Sequence, residues 1–180
     1  MKFVFNEKKD VQLILSYIKE GEETTEKHGE LFAEVTREGK GKVYLSLEKT
    51  DDEALRRVFF TLGQKLQELK VKSLSLELGE LNPAAVYEGL LHSQYFFDHY
   101  LSEKKTWHME EVSFEIEEEK QDEIQQALEE VEKVMDAVFL ARDLTNLAAI
   151  DLYPSTLAER ATKELEPLGV NVQVLGQEEI

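Results

Sequence analysis

Val43-Tyr44-Leu45-Ser46-Leu47, then Thr50-Asp51-Asp52-Glu53, then Val71-Lys72-Ser73-Leu74-Ser75-Leu76-Glu77-Leu78 are the segments whose reading decides the fold. The first is almost continuously apolar, which suits a strand covered on both faces. Thr50 with Glu53 has the spacing of a capping box, and Leu55, Phe59, Leu62, Leu66 and Leu69 recur every three or four residues behind it, the period of a helix with one buried stripe. Val71 to Leu78 alternates and reads as a strand again. Strand, helix and strand at this spacing predict a βαβ unit, hence an α/β fold.

Working outward, Lys2 to Phe5 and Val11 to Ile18 read as strands, and the polar segment Gly21 to Gly29 reads as a loop. Leu31 to Val35 and Lys42 to Leu47 read as two strands joined by a hairpin turn at Gly39-Lys40-Gly41. Asn82-Pro83 opens a helix, with Asn as cap and Pro in the first turn. Val112 to Ile116 is a short strand after the polar stretch Ser102 to His108. The longest element runs from about Asp122 to Asn146, with Ile124, Leu128, Val131, Met135 and Val138 on one stripe. At 1.5 Å per residue it is about 37 Å long, a length that suits a connector between two bodies. Pro154 to Leu165 reads as a helix, Val170 to Leu175 as a strand, and Gln177 to Ile180 as the first turn of another helix.

The 180 residues fit one domain with an appendage, and a chain of this length buries roughly 70% of its unfolded surface without needing a disulfide. Cysteine is absent, which removes thiol catalysis and Cys-based zinc sites. The 38 acidic against 21 basic residues give a net charge of −17, which repels phosphate backbones and anionic lipid. Nucleic acid and membrane surfaces are therefore not expected as partners. No apolar run reaches the roughly 20 residues of a membrane span, and the N-terminus is too short and too soon charged for a signal peptide. A cytoplasmic location is expected.

The usual catalytic signatures are missing: there is no HExxH, GxSxG, Walker A or GxGxxG segment. Gly39-x-Gly41 has only two of a phosphate loop's glycines and fits a turn equally well. His92 and His99, seven residues apart with Asp98 nearby, would share a helical face if the Asn82 helix reached that far, and could then begin a metal site; packing or plain surface is the simpler reading.

Three segments carry a family resemblance. Glu88-Gly89-Leu90-Leu91 with Tyr95-Phe96-Phe97-Asp98-His99-Tyr100 resembles a pattern late in the N-terminal domain of leucyl (cytosol) aminopeptidases. Taken as residues alone, it is a packed helix ending in an aromatic cluster, with Tyr95, Phe97 and Tyr100 burying large area. Leu140-Ala141-Arg142-Asp143-Leu144-Thr145-Asn146 resembles the end of that family's bridging helix. Tyr153-Pro154 with Leu157-Ala158-Glu159-Arg160-Ala161 resembles the opening of its peptidase domain, although Tyr153 stands where the family has a Thr cap, a loss of about 1 kcal/mol. Asn146-Leu147-Ala148-Ala149-Ile150-Asp151 departs from the family's Asn-Glu-Pro continuation.

The resemblance implies a macro-domain-like mixed sheet flanked by helices, a long connecting helix and a short βαβ-like tail. It implies a division into an N-terminal macro-like domain (1–118), a bridging helix (119–147) and the start of a peptidase domain (148–180). It also implies a hexameric, homo-oligomeric parent acting on peptides as a hydrolase with two divalent metals, zinc or manganese, in the peptidase domain. The family's metal-binding segments, Gly-Lys-Gly-x-x-Phe-Asp-Thr-Gly-Gly and Asn-Thr-Asp-Ala-Glu-Gly-Arg, occur nowhere in these 180 residues. No position is therefore assigned a catalytic, cofactor-binding or metal-binding role. A non-catalytic part of a metallo-exopeptidase is expected, supporting assembly and access to the active site. The alternatives are a stand-alone macro-like module that binds a ligand such as ADP-ribose, and an acidic oligomerisation module built on the long helix.

Overall fold

The computed structural model describes residues 1–18, 27–176 and 178–179. Six strands, β1 (Lys2–Phe5), β2 (Val11–Tyr17), β3 (Leu31–Val35), β4 (Gly41–Leu47), β5 (Ser73–Glu77) and β6 (Glu111–Glu115), form one sheet in the order β1-β6-β5-β2-β4-β3. All pairings are parallel except β3 with β4. The helices are α1 (Asp52–Glu68), α2 (Pro83–Ser93), α3 (Gln121–Asn146) and α4 (Pro154–Leu165). The mixed sheet flanked by helices is thus as expected, and so is the helix between β4 and β5. Those two strands are not neighbours, however, because β2 lies between them. Most of the expected loop at Gly21 to Gly29 lies outside the described residues.

The sheet has two unlike faces. On one, Val11, Leu13, Val43, Leu45, Leu74, Leu76, Val112 and Phe114 stand in register and are buried, together with Leu55, Phe59, Leu62 and Leu66 of α1 and Val86 and Leu90 of α2. Tyr87 of α2 packs edge-on against Phe3 and Phe114, at 5.6 and 6.0 Å between ring centres. The other face is crossed by Asn6 to Asp10, a five-residue strap that returns the chain from β1 to β2. The Glu7 N–H donates to Ser113 Oγ (2.9 Å), the Asp10 N–H donates to Ser73 Oγ (3.1 Å), and Lys9 Nζ reaches Glu7 and Glu111 at 2.6 and 3.0 Å. Ser73 at the start of β5 and Ser113 in the middle of β6 leave room for this backbone and hydrogen-bond it. Beyond the strap Lys42 is exposed and Tyr44 half-buried, so β4 is fully covered on one face only, contrary to the pattern in its sequence.

Contacts divide the chain into Met1–Val138 and Phe139–Ile180. The second unit holds the last turns of α3, then α4, and Val170–Leu175, which was expected as a strand but has no regular structure. A strand is held by hydrogen bonds to a neighbour, and among the described residues nothing pairs with this segment. Glu178 stands in a turn, while Gln177 and Ile180 lie outside the described residues.

Candidate functional site

Each segment that promised chemistry is placed by packing. In Glu88-Gly89-Leu90-Leu91, Leu90 and Leu91 are buried, and Gly89 lies where α2 crosses α1: a Cβ there would stand 2.6 Å from the Arg56 carbonyl oxygen and 3.0 Å from Phe59 Cβ. Glu88 accepts from Arg56 Nε at 2.6 Å across the same crossing. Gly63 makes the reciprocal close approach, to Ser93. The motif fixes two helices together.

α2 ends at Ser93, so His92 and His99 do not share a helical face and the geometry supposed for a metal pair is not formed. His99 instead lies 4.8 Å from the Tyr100 ring, edge to face, and 6.0 Å from Phe97, stacked. The aromatic cluster is shallower than expected, with Tyr100 and Phe96 about half exposed. Burial alone would raise the Asp98 carboxyl, but Lys104 Nζ and the Lys105 N–H outweigh it and hold it below the ordinary carboxylate range. Lys105 Nζ sits 3.5 Å over the Phe96 ring. Beneath this loop Gln67 clamps Thr106 and His108, and the Trp107 Nε1–H is sealed from solvent with no acceptor among the described residues.

Gly39 and Gly41 form the hairpin turn between β3 and β4, with positive φ at both, and a Cβ on Gly41 would meet the Glu34 carbonyl oxygen at 1.9 Å. That explains both glycines without a phosphate. In open α/β sheets ligands favour the carboxyl ends of the strands. Here a cleft of about 420 Å³ lies there, lined by Glu77, Glu115, Glu117 and Lys120, and Lys120 is already paired with Glu117 at 2.9 Å. Carboxylates so placed repel a diphosphate. Among the described residues no three His, Asp or Glu side chains are grouped to hold a metal, so the residues here do not fit the dimetal centre that the family implies.

Three features escaped the sequence reading. One is the strap, signalled only by Ser73 and Ser113 within apolar strands. Another is the buried Tyr87 hydroxyl, which donates to Glu132 Oε1 at 2.6 Å and so ties α2 to α3. The last is that β2 runs four residues, Ile14 to Tyr17, past its final pair with the shorter β5, which no sequence pattern announces. In the second unit, Tyr153 caps α4 without its side chain, and the Thr156 hydroxyl accepts the Tyr153 N–H at 2.9 Å, restoring half a capping box. Ala141 to Asn146 form the exposed end of α3, where the Thr145 hydroxyl donates to the Ala141 carbonyl at 2.8 Å. No helix among the described residues is long and apolar enough to cross a membrane.

Residues 12–104 match the family model of the cytosol aminopeptidase family, N-terminal domain. Proteins named probable cytosol aminopeptidase from Treponema denticola and Clostridium tetani are 35% and 34% identical over 92% and 93% of this chain. The chain spans 37% of the length of each. A tomato leucine aminopeptidase mutant superposes with a TM-score of 0.79 over 99% of this chain and 45% of its own, at 14% identity. The bottromycin maturation enzyme BotP superposes with a TM-score of 0.68 over 91% of this chain and 38% of its own, at 21% identity, and like the tomato protein it shares the fold. With more than half of its residues matched by that N-terminal-domain model and two such relatives along nearly its whole length, the chain belongs to the cytosol aminopeptidase family.

Proposed function

We propose that this chain is the non-catalytic N-terminal part of a leucyl-aminopeptidase-like metallo-exopeptidase, followed by its bridging helix and the opening of its peptidase domain. The division at about residues 118 and 147 belongs to this reading. The parent would remove N-terminal residues from peptides as a homo-oligomer in the cytoplasm, with two divalent metals held by the peptidase domain. The part described here would support assembly and shape access to that centre.

The observation that carries the reading is the contrast between the two units. The first has a complete core. The second has no buried residue among those described, while Ile150 and Leu168 are 82% and 76% exposed, and Leu157, Val174 and Leu175 about half exposed. Large apolar side chains left this exposed, with no core of their own, are commonly covered by another body, and a peptidase domain is the body that the family supplies. Two-metal hydrolysis needs carboxylate and lysine ligands in fixed positions, and the segments that carry them in the family have no counterpart here.

Incubating the pure 180-residue chain with leucyl p-nitroanilide, with and without added Zn²⁺ or Mn²⁺, tests this. No release of nitroaniline above the metal-only blank is expected. Metal-dependent turnover by the chain alone would sink the non-catalytic reading.

A further inference from the structure

We draw no further inference here: the strongest candidate, the cavity lined by Tyr95, Phe96, Asp98, Lys105 and Trp107 in the loop after α2, sets Lys105 against Asp98 and keeps the Trp107 Nε1–H, which has no acceptor among the described residues, sealed from solvent, so nothing in the structure shows what ligand would fill it.

Discussion

Tyr87 places its ring between Phe3 and Phe114 and its hydroxyl against Glu132, and it is fully buried. Burial first, and then the hydrogen bond to Glu132 and the nearby charges, push its phenol far above the ordinary range. A raised folded-state value stabilises the fold below the unfolded tyrosine value of about 10, and that stability is lost as pH rises above it. Unfolding free energy measured in urea should therefore fall between pH 9 and 11. Tyr87→Phe should cost about 1–2 kcal/mol at pH 7, since it leaves Glu132 without its donor, and should make the alkaline fall shallower. An unchanged alkaline slope in the variant would show that Tyr87 is not responsible for it. The sequence presents Tyr87 as one apolar position of a helix; its partner lies 45 residues away, and no local pattern joins the two. Asn6 is similar. Its left-handed backbone (φ 55°) and the bond from the Ile116 N–H to its Oδ1 start the strap, and both depend on a strand more than a hundred residues later.

At the scale of elements, the start of α1 distinguishes pattern from geometry. The spacing of Thr50 and Glu53 suggests that Thr50 is the cap. In the structure Asp51 is the cap, and its Oδ1 accepts from the Ala54 N–H at 3.1 Å. Both residues are good caps, and the one whose backbone is extended where the helix begins takes the role. Asp51→Ala should lower unfolding free energy by about 1 kcal/mol, and Thr50→Ala should change it by a few tenths at most. Chemical denaturation of the two variants checks this, and the reverse order would restore the Thr50 assignment. The helices around this one were legible because a buried stripe repeats every 3.6 residues and because caps such as Asn82 announce themselves locally. Val170 to Leu175 has a strand's composition too, but composition cannot supply the neighbouring strand that a ladder needs.

For the whole molecule, the division into two units predicts unequal contributions to stability. The second unit buries no side chain among its described residues, so it adds little to the free energy of folding. A chain ending at Asn146 should unfold in urea with a midpoint within experimental error of the 180-residue chain, and should be less prone to self-association. A clearly lower midpoint for the shorter chain would show that residues 147–180 hold the first unit together. Composition and periodicity by themselves determined the α/β class, the order of the six strands and four helices up to Leu165, the strongly acidic character and the absence of the family's two metal-binding segments, because each follows from neighbours in sequence or from a count. Tertiary structure alone decided that β2 sits between β4 and β5 and outruns β5, that a strap crosses part of the second face, and that α2 is tied to α3. Each of these rests on hydrogen bonds or contacts between distant segments, and a linear pattern carries no information about which segments will meet.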